Sequence, residues 1–480
     1  MKEILRQTLR PEMCCMAVSL LFLAICLTFV TGCVRYQARP LSAARTADDF
    51  ASRSLADEGL RLFLETNRLG GDWPRRTWDL ESLTLAAFYF SPELDVARAQ
   101  WGVASAALRT AGQLPNPVLS ASPGYNTTTL TPSPWIPAVN LDLPIETAGK
   151  RKHRIAQARH LSEAAKLNIA SVAWQVRGKV RQALVNLRAA AERESLLGRQ
   201  IEVQEEHIRL LEAQVAAGAI PVAEVMRERI ALDGMRMAVQ EAKQQNAESR
   251  VALAEAVGVP VGALNNAEIS FAGLDGAPAG WDVPSARRQA LLNRADVLAA
   301  LSEYAASEAA LRLEVAKQYP DIHLSPGYEY DQGDDKWRVG LSVELPVLNK
   351  NRGPIAEAIA KRSESAAKFN ALQARVVAEI ERRVTAYQAA AQQCAIADSM
   401  LTHLEQQARI LRARHEAGDI GRGEVLAGEV ELAAARLLRA DAVAKAQHAL
   451  AQLEEALQSP LPAGSAAVNM ATQADSQKQK

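Results

Sequence analysis

Aromatic residues are scarce in this sequence: Phe, Trp and Tyr together make up 5% of its 480 residues. Alanine is abundant instead, and charged residues are interspersed, which favours long helices packed through small side chains over a thick globular core. A surplus of one charge is also missing, since 55 basic residues balance 55 acidic ones. Without a basic surplus the chain lacks the electrostatic signature of a nucleic-acid-binding protein.

Cysteine is nearly absent beyond the amino-terminal segment. Cys14, Cys15 and Cys26 lie within that segment, Cys33 follows it, and Cys394 stands alone among alanines and glutamines. A disulfide framework needs several cysteines, so none is expected within one mature chain. An isolated cysteine on a helical stretch is expected to be a small buried side chain.

Long apolar runs are missing after Val30. The one such run covers residues 13–30 and is preceded by the basic residues Lys2, Arg6 and Arg10. This arrangement is typical of an export signal. An uncleaved membrane anchor is the alternative, because about 18 apolar residues are long for a signal core. No later run is long enough to predict a helical membrane span.

The apolar run ends in Val30-Thr31-Gly32-Cys33. This ending resembles a lipobox, in which the cysteine is lipidated and becomes the first residue of the mature chain. The resemblance implies a signal peptide of residues 1–32 and a covalent lipid on Cys33. Val34 follows the cysteine, which by the same resemblance favours sorting to the outer membrane. No cofactor is predicted apart from this lipid.

Residues 337–345 alternate between apolar and polar side chains, the period-two pattern of a strand with two different faces. The run of about 9 residues has the length of a tilted transmembrane strand. A proline and a turn rich in Asn and Gly then end it before a very long helical stretch. The pattern therefore predicts a transmembrane β-strand that leads into a helix.

The same arrangement occurs twice. Leu143-Pro144-Ile145 matches Leu345-Pro346-Val347 at an offset of 202, and the flanking segments match at offsets of 200 to 203. The sequence therefore predicts a tandem duplication. Its expected parts are an arm at 33–77, a first repeat at 78–260 with strands at 118–126 and 135–143, a linker at 261–284, a second repeat at 285–460 with strands at 321–330 and 337–345, and a disordered tail at 461–480.

Each repeat is expected to hold one helix before its strands and a long helical hairpin after them. The first helices are predicted from Trp78 to about residue 114 and from Ser285 to Tyr319, and the acidic segment 331–336 is predicted to be an external loop. Apolar residues at coiled-coil spacing then predict long helices at 148–216 and 355–416. Each would turn at Ala-Gly-x-Ile, where Gly218 and Gly418 suit a left-handed helix end.

Enzyme signatures are absent as well. The seven histidines are scattered singly, without metal-ligand spacing, and no Ser/His/Asp set or glycine-rich phosphate loop lies between a strand and a helix. Met235 and Met237 fit a helix surface or core better than a copper site. No catalytic residue and no metal site is therefore predicted.

At this point the chain resembles the TolC family of outer-membrane efflux channels over about residues 78–460, most closely its heavy-metal branch, typified by CzcC and CusC. The motifs that carry the resemblance, in order, are Asn116-Pro117, Leu143-Pro144-Ile145, Gly149-Lys150-Arg151, Asn293-Arg294-Ala295-Asp296-Val297, Tyr319-Pro320, Leu345-Pro346-Val347, residues 349–353 and the two Ala-Gly-x-Ile turns. The resemblance implies a mainly α fold with a small β part: a homotrimer with a 12-stranded outer-membrane β-barrel and a periplasmic α-helical tunnel.

The strand count agrees with that assembly. Four strands cannot close a barrel, because the smallest bacterial barrels have about eight, so several chains must pool their strands. The resemblance also implies a periplasmic adaptor and an inner-membrane RND-type pump as partners, with heavy-metal cations or drugs as cargo. A structural trimeric coiled-coil lipoprotein without transport is the alternative, although it would not need the four amphipathic strands.

The turns of the two hairpins are the candidate functional sites. By resemblance they contact the adaptor through Ala217, Gly218, Ile220, Ala417, Gly418 and Ile420, and an isoleucine left exposed at a tip would suit such a contact. Near the second turn lie three acidic residues that threefold repetition would arrange as a ring able to select cations or gate the channel: Glu416, Asp419 and Glu424. Simple helix caps and solvated helix-end charges are the respective alternatives.

Overall fold

The computed structural model describes residues 35–127, 133–274 and 283–461. Cys33 with its signal segment and most of the expected tail therefore lie outside the described residues. The chain divides after Ser52 into two compact units. Within the described part, the first unit contains helix α1, Ala43–Ala51, and the second contains all the elements that follow.

The second unit begins with the first of two similar series of elements. In order they are α2 (Glu58–Thr66), β1 (Thr77–Trp78), α3 (Leu80–Phe90), α4 (Pro92–Ala111), β2 (Val118–Tyr125), β3 (Trp135–Ile145), α5 (Lys150–Ala216), α6 (Val222–Val257), a short 3-10 helix (Val261–Leu264) and β4 (Glu268–Ile269). The second series is α7 (Val283–Asn293), α8 (Ala295–Ala316), β5 (Ile322–Asp331), β6 (Asp334–Val343), α9 (Arg352–Glu416) and α10 (Arg422–Leu457).

The expectation of one continuous helix before each pair of strands is wrong. In the first half the helix breaks at Ser91, whose backbone is extended and whose hydroxyl accepts a hydrogen bond from the Leu94 N–H. Pro92 then occupies the first turn of α4, where its missing N–H costs nothing. Trp78 also lies outside the helix, because β1 pairs in parallel with β4 inside the predicted linker. In the second half the break falls at Arg294.

Four strands form one antiparallel sheet in the order β2-β3-β5-β6, so the two halves join where β3 pairs with β5. The predicted external loop at 331–336 is wrong: β5 and β6 pair out to Asp331 and Asp334, which leaves Gln332 and Gly333 as the turn. Both turn residues have positive φ, as a two-residue hairpin requires. Strand β6 accordingly lies earlier than the predicted 337–345, and Leu345 follows it.

The repeated motif after the strands forms a strand-to-helix turn in both halves. Gly149 and Asn351 occupy equivalent positions at the starts of α5 and α9, and both are left-handed, with φ of +71° and +57°. Glycine adopts this conformation freely, and asparagine is among the few other residues that do. The Asn351 side chain also donates a hydrogen bond to the Glu314 carbonyl oxygen at 2.7 Å, which attaches the start of α9 to α8.

The two long helices, of 67 and 65 residues, are each about 100 Å long at 1.5 Å per residue. Helix α5 packs against α6 and α10, and α9 packs against α10. Near their turns the four helices therefore lie in the order α6, α5, α10, α9. Three apolar clusters fill the space between elements. One lies around Leu184 and Leu253 in the first half, one around Ile380 and Leu453 in the second, and a smaller one around Ile208 and Leu232 near the turn between α5 and α6.

A buried ionic cluster joins the halves. Arg177 and Arg181 on α5 both donate to the carboxylate of Glu454 on α10, Arg177 at 2.6 Å, and all three side chains are at most 6% exposed. The Leu461 N–H also donates to this carboxylate, at 3.2 Å. Burial alone would raise the pKa of Glu454, but the two guanidinium groups outweigh it and lower that pKa. The carboxylate therefore stays ionised at neutral pH.

Each half also has an arginine at the carboxyl end of its shorter hairpin helix. Arg53 donates to the carbonyl oxygens of Gly258, at 2.8 Å, and of Phe90. Arg294 donates to the carbonyl oxygen of Ala456 and pairs with Asp296 at 2.8 Å. A cation at the carboxyl end of a helix is stabilising because the last carbonyl groups have no partners within the helix and carry partial negative charge.

Candidate functional site

The turn between α5 and α6 has the hydrogen bonds of a Schellman motif. Gly218 is left-handed, with φ of +73°, and its N–H donates to the Val215 carbonyl oxygen while the Ala219 N–H donates to that of Gln214, both at 2.9 Å. Ala217 and Gly218 are exposed, and Ile220 is half-buried. The left-handed conformation predicted for Gly218 is confirmed.

The turn between α9 and α10 repeats that geometry. Gly418 has φ of +86°. Its N–H donates to the His415 carbonyl oxygen, and the Asp419 N–H donates to the Arg414 carbonyl oxygen, both at 2.9 Å. The His415 ring Nδ1 lies 2.9 Å from the Ile420 carbonyl oxygen and ties the turn back to its helix. Ala417 and Gly418 are exposed, and the left-handed conformation predicted for Gly418 is also confirmed.

The expectation that the tip isoleucines are exposed needs correction. Ile420 is only 9% exposed and Ile220 is half-buried. Each isoleucine is the second residue after its turn glycine, and the contact between the His415 ring and the Ile420 carbonyl oxygen holds Ile420 against the end of α9. Within one chain, the exposed surface of the tips therefore includes Ala217, Gly218, Ala417 and Gly418 but not the Ile420 side chain.

The acidic candidates Glu416, Asp419 and Glu424 are all exposed at the second turn. The structure adds Arg422, which sequence reasoning missed. This residue of α10 donates two hydrogen bonds to Glu206 of α5, at 2.7 and 3.2 Å, and the bond from its side chain to Glu206 raises the pKa of Arg422. The pair links the ends of the two hairpins. No short-range signal could have found it, because its members are 216 positions apart.

The four-stranded sheet has one apolar and one polar face. The cross-strand register puts Leu141, Leu324 and Leu341 on the same face. At the end of this face near the turns lie two aromatic pairs, Tyr125 with Trp135 and Tyr328 with Trp337, each with ring centroids 5.0 Å apart. Beyond Tyr328 and Trp337 this face continues with Tyr330 opposite Asp335 at the hairpin end.

The opposite face carries charged and polar side chains. Asp142 of β3 accepts from Ser325 Oγ at 3.2 Å and lies 3.0 Å from the His323 ring Nδ1 of β5. Glu329 pairs with Arg338 across β5 and β6. Each strand thus contributes apolar side chains to one surface and hydrophilic side chains to the other.

A polar cluster fixes the strands to the helices below them. Asp321, just before β5, accepts from the Lys150 ammonium group and from the Thr147 N–H, both at 2.8 Å. Burial opposes the ionised form, but the bonds from Lys150 and Thr147 outweigh it and lower the pKa of Asp321. Because Lys150 begins α5, this carboxylate connects the second half's strands to the first half's long helix.

Among the described residues, no three His, Cys, Asp or Glu side chains lie close enough together to hold a metal ion. Cys394 is buried with a free thiol, and burial raises its pKa. None of the described helices combines the length and apolar character of a membrane span.

A family model described as outer membrane efflux protein matches the chain twice, over residues 88–259 and 286–458. The chain belongs to this family. The two matched segments correspond to the two series of elements, each with its strands and its helical hairpin. The proteins of this family are outer-membrane efflux channels and not enzymes.

Two relatives in sequence are each 26% identical to this efflux-family chain. They are the cobalt-zinc-cadmium resistance protein CzcC of Cupriavidus metallidurans, matched over 46% of this chain, and the pyoverdine export outer membrane protein OpmQ of Pseudomonas aeruginosa, matched over 57%. The matched stretches span 52% and 62% of those two proteins. The chain thus spans between half and two thirds of the length of these relatives.

The fold has solved counterparts. CusC superposes with a TM-score of 0.63 at 19% identity, covering 82% of this chain and 95% of CusC. VceC of Vibrio cholerae superposes with a TM-score of 0.64 at 20% identity, covering 79% of this chain and 96% of VceC. The outer-membrane channel OprN superposes with a TM-score of 0.65 at 18% identity, covering 89% of this chain and 98% of OprN. At these identities the likeness establishes the fold alone, a mostly helical fold of the TolC type.

Proposed function

We propose that three copies of this chain form a passive outer-membrane channel of a tripartite efflux system. The observation that carries the proposal is the sheet with one aliphatic face, aromatics at one end of that face and charges on the other. A strand of a transmembrane barrel has this distribution, because its lipid-facing surface is apolar with aromatic girdles at the interfaces while its lumen is polar. Strands of 8 to 11 residues have the length such a barrel needs.

Pooling of strands between copies follows from their number. A barrel requires about eight strands or more, and each chain supplies four, so three copies would supply about twelve. Covalent lipid on Cys33 would anchor each copy to the same membrane. The alternative of a structural lipoprotein is not favoured, since the family match covers both helical hairpins and the pair of strands that precedes each.

The hairpin ends would then be the periplasmic mouth of the channel, where a periplasmic adaptor and an inner-membrane RND-type pump would dock. Their exposed backbone at Gly218 and Gly418 offers close approach without an obstructing side chain. Glu416, Asp419 and Glu424 would form a ring of carboxylates at this mouth when repeated three times, and such a ring favours cations. Heavy-metal cations and drugs remain the two classes of cargo, consistent with relatives named for metal resistance and for pyoverdine export.

The test is to purify the lipidated protein in detergent, measure its mass, and record its conductance in planar bilayers. We expect a trimer and discrete ion-conducting channels. In the same recordings, Asp419→Asn combined with Glu416→Gln should lower the preference for cations, whereas the same change at Glu248, on the shaft of α6, should not. A monomer with a complete β content, or a trimer that never conducts, would contradict the channel function.

A further inference from the structure

A groove of about 450 Å³ lies where α8 passes between α5 and α9, next to the strands. It begins at Ala148 and Tyr319 and extends along α8 to Glu308, which is roughly 16 Å from Tyr319 at 1.5 Å per residue. Leu311 and Val315 give it an apolar floor, and charged side chains lie along its edges. Small-molecule sites commonly have this combination of an apolar lining with a few placed charges.

The charges in this groove do not balance. Arg312 of α8 and Arg362 of α9 approach the same carboxylate, that of Glu308, at 3.6 and 3.8 Å. One carboxylate cannot neutralise two guanidinium groups, and both distances exceed that of a hydrogen bond. An arginine has five N–H donors, so both side chains keep donors for a second anion. His153 lines the same groove, which is called the arginine groove below.

A second groove, of about 480 Å³, lies on the other side of α8. At 100° per residue, Ala306 and Ala310 line it from the side of α8 opposite to Glu308 and Arg312. Helix α8 packs against both α5 and α9 and so separates the two grooves. They therefore open on opposite surfaces of the layer that these three helices form.

Lys150 identifies the surface on which the second groove opens. From α5 its ammonium group reaches Asp321, which lies two positions before His323 and so continues the polar face of the sheet. Gln157 and Leu161 line the second groove and lie within about 20° of Lys150 around α5. The second groove thus opens on the side of the polar face, and the arginine groove opens on the side of the aliphatic face.

The arginine groove also lies at the level where the strands meet the helices. Tyr319 is 61% exposed and Val315 is 41% exposed at this end of it. Aromatic rings of membrane strands lie at both interfaces, so Tyr319 suits the interface opposite the aromatic pairs of the sheet. Arg312 is seven positions earlier, about 10 Å along the chain. Its long side chain brings the guanidinium group within reach of the headgroup layer, which is roughly 5 to 8 Å thick.

We propose that the arginine groove binds the headgroup of an anionic phospholipid from the periplasmic leaflet, with its phosphate between Arg312 and Arg362. The acyl chains would continue along the aliphatic face. This proposal rests on the proposed location in the outer membrane. Guanidinium groups bind phosphate oxygens through paired hydrogen bonds, and basic pockets beside membrane segments bind anionic headgroups. A zwitterionic lipid would bring a further positive charge into a groove that already has a surplus.

The test titrates phosphatidylglycerol into the purified full-length protein in detergent and counts bound lipids by native mass spectrometry. Phosphatidylcholine, which has the same phosphate but no net charge, is the lipid control. We expect phosphatidylglycerol to half-saturate the wild type at a concentration roughly tenfold lower than phosphatidylcholine, since hydrogen bonds between charged groups are worth at least that factor. Arg312→Gln combined with Arg362→Gln should abolish the preference. Lys361→Gln removes a positive charge next to Arg362 but on the second groove, and should keep it.

A third variant separates lipid binding from a purely structural role of these charges. Glu308→Gln removes the carboxylate that competes with phosphate for the two arginines, so it should tighten binding of phosphatidylglycerol several-fold. If the cluster only held α8 to α9, this variant and the double arginine variant would change lipid binding in the same direction. That result would overturn the inference.

The remaining outcomes are equally decisive. Equal binding of the two lipids by the wild type, or a preference that survives in the double arginine variant, would overturn the inference. Displacement of phosphatidylglycerol by an equal concentration of inorganic phosphate would show a simple anion site and also overturn it. A conducting wild-type trimer that gave any of these results would leave the proposed channel intact. A wild type that never conducts would contradict the channel itself and, with it, the membrane location on which this inference rests.

Discussion

At the residue scale, two equivalent positions in the halves carry different side chains for different local reasons. Gly258 and Gln458 both end a hairpin helix in the left-handed conformation, with φ of +84° and +46°. A Cβ at Gly258 would lie 2.9 Å from the Phe90 carbonyl oxygen, so this position requires glycine. Gln458 instead uses its side chain, whose Oε1 accepts a hydrogen bond from the Ala295 N–H at 2.8 Å.

Glu454 offers a test of the buried ionic cluster. Replacing it in Glu454→Gln would leave Arg177 and Arg181 buried without a counter-charge, which costs about 3 kcal/mol or more. We expect a clear fall in the thermal unfolding temperature at pH 7. The pKa of Glu454 is lower in the folded protein than its ordinary value of 4.5. The ionised carboxylate therefore adds to the free energy of unfolding above pH 4.5, and this stabilisation is lost as the pH falls through the folded pKa. The difference between variant and wild type should therefore shrink in acid.

The adjacent Glu455 is a matched control for that variant. Burial and the nearby Glu379 raise the pKa of Glu455, so its ionised form is disfavoured in the fold. Glu455→Gln should leave the stability at pH 7 unchanged or slightly higher. Equal losses for the two variants would mean that the effect comes from the shape of the site and not from its charge.

The hairpin turns can be tested with one substitution at two places. Gly418→Val should strain the left-handed turn by roughly 1 kcal/mol or more, a cost that a large assembly tolerates. The protein should therefore still assemble. The substitution should nevertheless weaken capture of a tagged periplasmic adaptor from the same genome. Gly273→Val is the control, since Gly273 has φ of +82° and open space around it, as Gly418 does, but lies away from the tips. If both variants capture adaptor equally, the turns are only helix caps.

At the element scale, the sequence predicted the long helices and their turns closely because their apolar periodicity is sustained over many turns. The long helices were predicted at 148–216 and 355–416, and the structure gives Lys150–Ala216 and Arg352–Glu416. The break at Ser91 was missed although Ser91 followed by Pro92 is a local signal for a new helix. At Arg294 no such signal is present, and the hydrogen bond from its side chain to the Ala456 carbonyl oxygen is a tertiary contact. The hairpin at Gln332 and Gly333 was missed because acidic residues in a strand look like a loop when their cross-strand partners are unknown.

The two faces of the sheet give the prediction at this scale. Leu341→Arg places a charge on the aliphatic face, which in a transmembrane strand costs about 2 to 4 kcal/mol at the bilayer centre. The fraction of protein recovered folded in outer membranes should fall strongly. Ser342→Arg, one residue further on the polar face, should have little effect, because a lumen hydrates charge. Equal recovery of the two variants would argue against lipid contact at Leu341.

At the scale of the whole molecule, the duplication and the family were readable from the sequence, whereas the contacts between the halves were not. Arg177 and Glu454 are 277 positions apart, and Lys150 and Asp321 are 171 apart. Nothing in local spacing couples such residues. The exposure of Ile420 was also misjudged from the sequence, because burial at a turn depends on which way the chain leaves it.

The amino terminus carries the last prediction. The sequence Val30-Thr31-Gly32-Cys33 predicts that the mature chain begins at a lipidated cysteine. Mass spectrometry of protein isolated from membranes should find a diacylated or triacylated Cys33. Cys33→Ser should abolish the modification and leave residues 1–32 attached. A wild-type chain that still begins at Met1 without lipid would contradict the prediction.

The two arginines at the helix ends make the two halves unequally self-contained. Arg294 lies within the second series of elements, at the start of α8, so that half carries its own cation for the end of α10. The first half uses Arg53, which precedes the duplicated region. Removing the segment ahead of the first repeat would therefore uncover the carboxyl end of α6, whereas the end of α10 would keep its cation.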